Sequence, residues 1–268
     1  MGSSDSREQP TVAVVALQGA VEAHCAALRA VGARPVPIRQ VAHLRSLVAL
    51  DAIVVPGGES TTLSVLLETT GLGSELGKHI ASGIPTLGTC AGMILLAADV
   101  YDGRDDQIRY AAIDIAVRRN GFGRQVQSCE TLVDIDGLTA PFPAVFIRAP
   151  RVERVGPGVE VLARLDDGTP VLCRQGSVWV SAFHPELTDD RRVHEMFLDS
   201  LRESPANIDS LRESPANTDS LRESRANTDS LRESPANIDS LRESPANTDS
   251  AEEATVLPLP VLDSAVRS

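Results

Sequence analysis

Short apolar runs rich in β-branched residues are the feature that most limits how this chain folds. Thr11–Leu17 and Asp51–Val55 are almost continuously apolar rather than alternating, which is typical of strands that are covered on both faces. Each run is followed by a turn and then by a segment with helical periodicity. Strands joined in this way through helices predict a parallel sheet with helices on both of its faces.

Strand and helix patterns alternate through the first hundred residues, whereas strand patterns dominate the second half. This order predicts a doubly wound, flavodoxin-like α/β fold with a mostly parallel sheet and added antiparallel strands in the second half. The predicted strands are Thr11–Leu17, Arg34–Ile38 (near an edge, because of its prolines), Asp51–Val55, Ile84–Leu87, Ile108–Arg119, Arg124–Ile135, Ala144–Ile147, Val159–Leu165, Pro170–Arg174 and Val178–Phe183. The predicted helices are a segment ending at Val31, Val41–Leu47, Leu63–Glu68 capped by Ser60–Thr62, Ser74–Ala81, Met93–Ala98, and Asp189–Glu203 capped by Thr188 or Asp189.

The C-terminal part of the chain is repetitive. A ten-residue unit, D-S-L-R-E-S-P-A-N-[IT], occurs five times between Asp199 and Thr248, with one proline replaced by Arg225. Each copy has Leu as its large apolar residue, with an occasional Ile, so the copies bury too little surface to offset chain entropy. We therefore expect a flexible N-terminus (residues 1–10), one folded domain (residues 11–204) and a disordered tail (residues 205–268), rather than a folded or partner-binding repeat array.

Charge and cysteine usage argue against several functional classes. Residues 201–268 carry 7 Arg against 13 Asp and Glu, so half of the net charge of −12 lies there. The remaining chain is only mildly acidic, which argues against nucleic acid or an anionic membrane as a partner. The cysteines show no metal-ligand spacing, and no apolar run is long enough to span a membrane. We expect a cytoplasmic protein with free thiols and with no metal or other cofactor.

The segment Gly88-Thr89-Cys90-Ala91-Gly92 joins a predicted strand to a predicted helix. A nucleophile between two glycines at such a turn is typical of the nucleophile elbow, here with cysteine in place of serine. We expect the glycines to give the backbone freedom for the turn, and the first N–H groups of the helix to stabilise negative charge on the sulfur. Taken alone, the pentapeptide fits a buried structural cysteine better, so the assignment of Cys90 as a nucleophile depends on its partners.

A histidine and a carboxylate supply those partners. His184-Pro185-Glu186 follows the predicted strand Val178–Phe183, at the strand end where doubly wound folds bind ligands. His184 can take the proton of Cys90, and Glu186 can orient the imidazole and support its charge. An isolated H-P-E segment fits a strand cap with a solvated carboxylate, but together with the cysteine elbow it favours a catalytic triad.

A glycine pair follows another predicted strand, in Pro56-Gly57-Gly58-Glu59. Its backbone N–H groups are free to face an oxyanion, so we predict Gly58 and Ala91 as the two oxyanion donors; the alternative is an ordinary glycine-rich turn. The ends of parallel strands meet at one edge of a sheet, and Gln18-Gly19 should join the glycine pair, Cys90 and His184 there.

Several longer motifs resemble the class I glutamine amidotransferases, and within them the PdxT family, the glutaminase subunits of pyridoxal 5′-phosphate synthase. They run through nearly the whole predicted domain. The motifs are L-Q-G-A-V-E-A-H (Leu17–His24), P-G-G-E-S-T-T (Pro56–Thr62), G-T-C-A-G (Gly88–Gly92), R-N-G-F-G-R-Q (Arg119–Gln125), F-I-R-A-P (Phe146–Pro150) and F-H-P-E-L-T-D-D-R-R (Phe183–Arg192).

The resemblance implies an enzyme that hydrolyses L-glutamine to L-glutamate and ammonia. It implies that Cys90 attacks the side-chain amide, that His184 acts first as base and then as acid, and that Glu186 orients His184. The ammonia would pass to a synthase subunit of the PdxS family in a hetero-oligomer that makes pyridoxal 5′-phosphate (vitamin B6) from a pentose phosphate and a triose phosphate. The residues that the resemblance implies for binding glutamine are Gly57, Gly58, Glu59, Arg119, Ile147 and Arg148.

Other functions remain open at this level. The glutaminase subunit of another amidotransferase, such as imidazole glycerol phosphate synthase, would use the same chemistry with a different partner. A non-catalytic scaffold on the same fold would not need Cys90, His184 and Glu186. A cysteine hydrolase of the protease-like branch would share the elbow but would not need Arg119 and Arg148.

Overall fold

The computed structural model describes residues 9–104, 106–119, 121 and 128–203. These residues form strands and helices in the order that a layered α/β domain requires. The strands are β1 (Thr11–Val15), β2 (Arg34–Ile38), β3 (Ala52–Val55), β4 (Thr86–Thr89), β5 (Ala97–Tyr101), β6 (Ile113–Arg118), β7 (Ser128–Val133), β8 (Phe142–Ile147), β9 (Arg151–Val155), β10 (Glu160–Arg164), β11 (Pro170–Gln175) and β12 (Val178–Ser181). The helices are α1 (Val21–Ala30), α2 (Val41–Arg45), α3 (Ser60–Thr69), α4 (Leu72–Ala81), α5 (Ala91–Leu96) and α6 (Arg192–Glu203), with a 3₁₀ turn at Pro185–Leu187.

The central sheet has the strand order β10-β11-β12-β4-β3-β1-β2. Strands β12, β4, β3, β1 and β2 run parallel to one another, and β11 runs antiparallel to both of its neighbours, β10 and β12. Every residue of β1, β3, β4 and β12 is buried, and for β1 and β3 this is what their continuous apolar runs predict. The parallel part has the order of a doubly wound flavodoxin-like sheet, so the predicted fold class is confirmed.

Successive residues of β1 pack on opposite faces of this sheet. Val12 and Val14 belong to a core that includes Leu28 of α1 and Phe197 of α6. Ala13 and Val15 belong to the larger core formed with α3, α4 and α5. Because a fully buried valine side chain contributes roughly 1.5–3 kcal/mol, these two cores fix the strands firmly. The loops at the strand ends are therefore held by a rigid scaffold.

Strand β2 lies at the edge of the sheet, where its prolines place it. Pro35 pairs with Val12 and Pro37 with Val14 on one side only, so the missing N–H groups leave no gap in a central ladder. The predicted edge position is confirmed.

The second half contains antiparallel strands, as predicted, but only β10 and β11 extend the central sheet. Strands β5, β6 and β9 form a separate three-stranded sheet, and β7 and β8 form a two-stranded one. The prediction of a helix over Met93–Ala98 is wrong at its end. Helix α5 stops at Leu96, because Ala97 pairs with Ile113 and begins β5. Strand β9 is not predicted from the sequence.

The N-terminal caps of two helices also differ from those predicted. The N-cap of α3 is Glu59, whose carboxylate accepts the N–H groups of Thr61 at 3.2 Å and Thr62 at 2.7 Å, so capping does not fall to Ser60–Thr62. Helix α6 begins at Arg192, later than predicted. The N–H of Arg192 donates to Asp190 Oδ1 at 3.0 Å, so Asp190 satisfies the donor that Thr188 or Asp189 was expected to satisfy.

Some predictions lie outside the described residues: most of the flexible N-terminus, the disordered tail, and residues 124–127 of one predicted strand. Among the residues that are described, no helix is both long and apolar enough to cross a membrane.

Candidate active site

Cys90 lies at a sharp turn between β4 and α5, as the elbow pattern predicts. Its φ of 49° and ψ of −102° are rarely adopted by residues with a β-carbon, so the turn is strained. The strain is held by neighbours, since the N–H of Cys90 donates to Ser181 O at 2.8 Å and binds the elbow to β12. The Cys90 Sγ atom lies 3.8 Å from Ile147 O. The sulfur therefore lies between the ends of three strands.

The glycines that flank Cys90 permit close packing and do not supply the turn. A β-carbon on Gly88 would lie 2.5 Å from Leu96 Cδ1 and 2.7 Å from the carbonyl carbon of Gly92. A β-carbon on Gly92 would overlap the carbonyl oxygen of Val55. The positive φ belongs to Cys90 itself and to neither glycine. The expectation of a glycine-driven turn is thus corrected: the glycines let α5 pack directly on β3 and β4.

His184 and Glu186 lie beyond the end of β12, next to Cys90. His184 Nδ1 is 2.8 Å from Glu186 Oε1, and the N–H of His184 donates to Val145 O at 2.8 Å. A β-carbon on Gly57 would lie 3.0 Å from His184 Nδ1 and 3.1 Å from Cys90 Cβ, so both side chains border the same small space. The structure brings the predicted nucleophile, base and orienting carboxylate together.

Electrostatics in this cluster favour a protonated imidazole beside an ionised carboxylate. Burial lowers the pKa of His184, but its interactions with Cys90 and Glu186 outweigh burial and raise the pKa to about 10. Burial raises the pKa of Glu186, whereas His24 and His184 lower it, and the lowering prevails. At neutral pH His184 therefore holds a proton that it can deliver to a leaving group.

The glycine pair lies opposite the sulfur. The N–H of Gly57 donates to Thr89 Oγ1 at 3.0 Å, and the N–H of Glu59 donates to Gln18 Oε1 at 2.9 Å. Between them, the N–H of Gly58 donates to no group in the described part of the chain. The N–H of Ala91 is in the first turn of α5, where backbone donors have no partner within a helix. The N–H groups of Gly58 and Ala91, the predicted oxyanion donors, are thus available to donate hydrogen bonds to a ligand.

Gly19 supports the glycine pair from the neighbouring loop. Its φ is 97°, and a β-carbon at this position would overlap Gly57 O. A β-carbon on Gly58 would lie 2.6 Å from Gln18 Oε1. The two loops can approach this closely only with glycines at these positions.

A cavity of about 290 Å³ contains every predicted site residue except Glu186 and Ala91. Its volume leaves room for a ligand of amino-acid size. Its wall also includes four residues with no predicted role in the site, namely Ala20, Ser60, Ile94 and Leu187. All but Ile94 lie within the family-like motifs, but no local pattern marks any of the four as a cavity residue. Only the fold brings them to the cavity.

The two arginines of the cavity differ in their pairing. Arg119 Nη2 lies 2.8 Å from Glu59 Oε1. Burial raises the pKa of Glu59, but its hydrogen bonds with Thr62 and Thr61 lower it to about 2, so this carboxylate is ionised at neutral pH. Arg148 is exposed, has a φ of 44°, and forms no ion pair with another described residue. The cavity therefore offers a paired carboxylate and an unpaired guanidinium.

A second group of polar side chains lies behind the triad and is not predicted from the sequence. His24 on α1 and His194 on α6 are completely buried, and both contribute to a cluster with Thr89 and Glu186. A signal for His24 does exist. It lies beside Cys25 and one turn before Leu28 on the buried face of an amphipathic helix, where a polar residue needs a partner.

Comparison with known proteins assigns the chain to a family. The profile of the SNO glutamine amidotransferase family matches residues 14–203, which is most of the chain. The chain belongs to this family. A curated relative, pyridoxal 5′-phosphate synthase subunit PdxT of Nocardia farcinica, is 52% identical over 199 residues, covering 72% of this chain and 87% of the relative.

Two further relatives agree with this assignment. The PdxT subunit of Mycolicibacterium vanbaalenii is 53% identical over 196 residues, covering 72% of this chain and 98% of the relative. A solved structure described as a glutamine amidotransferase superposes with a TM-score of 0.66 at 45% identity, covering 71% of this chain and 98% of that structure. The predicted relationship to glutamine amidotransferases of the PdxT type is confirmed.

Proposed function

We propose that this protein is the glutaminase subunit of a pyridoxal 5′-phosphate synthase, which hydrolyses L-glutamine to L-glutamate and ammonia and supplies the ammonia for vitamin B6 synthesis. The observation that carries the proposal is the strained Cys90 beside a His184–Glu186 pair with a 2.8 Å contact, in an amino-acid-sized cavity. The relatives favour this synthase over other amidotransferases, because those at about half identity are named pyridoxal 5′-phosphate synthase subunits.

The reaction proceeds in two steps. The Cys90 sulfur, as thiolate with its proton on His184, adds to the side-chain carbonyl carbon of glutamine. The N–H groups of Gly58 and Ala91 stabilise the negative charge that develops on the carbonyl oxygen. The tetrahedral species collapses, the C–N bond breaks, and the proton of His184 goes to the nitrogen, which leaves as ammonia. A thioester with Cys90 remains.

Water completes the cycle. His184, now neutral, takes a proton from a water molecule that attacks the thioester carbonyl. Glutamate leaves, and the sulfur returns to its starting state with the proton held by His184. Glu186 keeps the imidazole oriented and stabilises its positive charge throughout. Each role needs only groups that lie within or next to the cavity.

The cavity recognises the amino-acid end of glutamine through opposite charges. The carboxylate of Glu59, kept in place by Arg119, suits the α-ammonium group of the substrate. The unpaired guanidinium of Arg148 suits the α-carboxylate, which arginine binds in bidentate fashion. Gly57 and Ile147 complete the wall near the reacting amide.

We expect Arg148→Ala to raise the KM for glutamine about 10–100-fold, since a hydrogen bond to a charged group contributes roughly 1.5–3 kcal/mol. The kcat should change only a few-fold, because Arg148 contacts the non-reacting end. Steady-state kinetics of the complex with the synthase subunit measures both constants. Arg164→Ala, at an exposed arginine of β10 outside the cavity, is the matched control and should leave both constants unchanged. A fall in kcat at unchanged KM would contradict the assignment of Arg148 to substrate binding.

The general test of the function compares glutamine hydrolysis by the free subunit and by its complex with the synthase subunit. The Gly57–Gly58 peptide joins two glycines, so it can rotate at low cost and withdraw the Gly58 donor. We expect the free subunit to be on the order of 10²-fold slower, the usual cost of one misplaced oxyanion donor. Equal rates in both states would contradict such a gate. Absence of hydrolysis in both states would contradict the proposed function.

A further inference from the structure

His24 connects the two sides of the candidate active site. It is completely buried on α1, does not line the cavity, and is not used in the mechanism above. Its Nε2 lies 3.1 Å from Thr89 Oγ1 and 3.4 Å from Glu186 Oε2. Thr89 Oγ1 in turn accepts the N–H of Gly57. One ring nitrogen of His24 therefore faces both the triad carboxylate, Glu186, and Thr89, the residue whose hydroxyl holds the glycine pair through Gly57.

The chemistry of the neighbours determines where the proton of His24 lies. A carboxylate oxygen offers only lone pairs, so a bare ring nitrogen 3.4 Å from Glu186 Oε2 would be repelled. An N–H at Nε2 instead faces both Glu186 Oε2 and Thr89 Oγ1 favourably. His24 Nδ1 is then free to accept from His194 Nε2, which lies 3.2 Å away. This assignment gives a donor to the second Glu186 oxygen, which has no hydrogen-bond partner of its own.

Burial supports a neutral His24 in this arrangement. It lowers the pKa of His24 more strongly than Glu186 raises it, and the nearby His184 lowers it further. A neutral imidazole with a fixed tautomer is a directional hydrogen-bond donor, and an N–H aimed at a carboxylate also favours its ionised form. The first oxygen of Glu186 then remains committed to His184, while the second is held by His24.

We propose that His24 is a positioning residue for glutamine hydrolysis, whose Nε2–H holds Glu186 on one side and, through the Thr89 hydroxyl, the Gly57 amide on the other. The inference rests on the proposed function. Through His24, helix α1 would align both the base, His184, and the glycine pair that carries an oxyanion donor. Displacement of His24 should disturb both while leaving in place Glu59 and Arg148, the groups assigned to the amino-acid end of glutamine.

Two substitutions separate this role from simple packing. His24→Gln places an amide nitrogen near the position of Nε2 and so retains the donor. His24→Asn keeps a polar group near Nδ1, toward His194, but cannot reach Thr89 or Glu186. Both variants bury a neutral amide of similar polarity, so a merely structural role would affect them alike.

The measurement is glutamine hydrolysis by the full chain in complex with the synthase subunit, together with the melting temperature of each variant. We expect His24→Asn to lower kcat by up to about 10²-fold, because a misplacement of about 1 Å in a reacting group can cost that much. The KM for glutamine should stay within a few-fold, and His24→Gln should retain most of the wild-type kcat. Equal kcat values for the two variants, or a loss in KM alone, would overturn the inference.

Two substitutions at Thr89 test the same inference independently, should the substitutions at the buried His24 destabilise the fold. Thr89→Ser keeps the hydroxyl that contacts His24 and Gly57, whereas Thr89→Val replaces it with a methyl group of similar size. The serine variant should retain most of the kcat and the valine variant should lose it, again at similar KM. Equal kcat values for this pair would also overturn the inference. Wild-type complex without glutaminase activity would instead reject the proposed function, so the two failures are distinguishable.

Discussion

Cys90→Ala should abolish glutamine-dependent synthesis of pyridoxal 5′-phosphate, with a loss of at least about 10⁴-fold in glutamine hydrolysis. No neighbouring side chain can replace the sulfur. The hydroxyl of the preceding Thr89 already accepts the N–H of Gly57 and contacts His24. The substitution removes a thiol that is 5% exposed and leaves the elbow backbone in place, so the fold should persist. The assay is synthesis by the reconstituted complex with glutamine as the nitrogen source.

Ammonium salt distinguishes catalysis from assembly in the same experiment. The Cys90→Ala complex should still make pyridoxal 5′-phosphate when ammonium is supplied, because under the proposed function ammonia is all that the synthase subunit takes from this subunit. Cys129→Ala is the matched control: this half-buried thiol lies on β7 outside the cavity, and its loss should change neither assay. Retained glutamine-dependent synthesis in Cys90→Ala would show that Cys90 is not the nucleophile. Failure of ammonium to restore synthesis with a sound synthase subunit would contradict the assignment to vitamin B6 formation.

The central sheet could be predicted from the sequence because its strands are marked locally. Thr11–Val15 and Ala52–Val55 are buried on both faces, so they appear as continuous apolar runs whatever their neighbours are. The prolines of β2 likewise indicate an edge without knowledge of the sheet. Strand β5 carries no such mark. It forms because Ala97 meets Ile113, and a pairing between distant segments cannot be read from the pattern of either one.

The residues of the candidate site likewise fall into those that local sequence predicts and those that only long-range packing determines. Cys90, His184 and Glu186 occur in short motifs whose residue types and spacing together indicate a catalytic triad. The elbow motif also predicts a turn that forms locally, between a strand and the helix that follows it. His24 lies within one of the quoted motifs, yet its contacts with Thr89 and His194 span 65 and 170 residues of sequence. The sequence shows only a polar residue on an apolar helix face. What that residue contacts depends on how α1 and α6 pack against the sheet.

Gly57→Ala is the second substitution with a large expected effect, on the order of a 10³-fold loss in glutamine hydrolysis. The added β-carbon would lie 3.1 Å from Cys90 Cβ and 3.0 Å from His184 Nδ1, and closer still to the His184 ring carbon Cε1. The imidazole cannot retreat freely, since Glu186 Oε1 is 2.8 Å from Nδ1. It must therefore rotate or shift away from the sulfur. Loss of a positioned general base costs about 10²–10⁴-fold, and a misplacement of about 1 Å is enough to be costly.

Gly77→Ala is the appropriate control because it adds the same methyl group where there is room. A β-carbon there would lie 3.4 Å from a Tyr110 ring carbon, an ordinary contact, and within a helix alanine is favoured over glycine by roughly 0.5–1 kcal/mol. Both variants should melt near the wild-type temperature, and ammonium-dependent synthesis should be normal in both complexes. Only Gly57→Ala should lose glutamine-dependent synthesis, because only there does the methyl group occupy the space between nucleophile and base. Wild-type turnover by Gly57→Ala would mean that the imidazole works from a different position, and the assignment of His184 as the base would have to be abandoned.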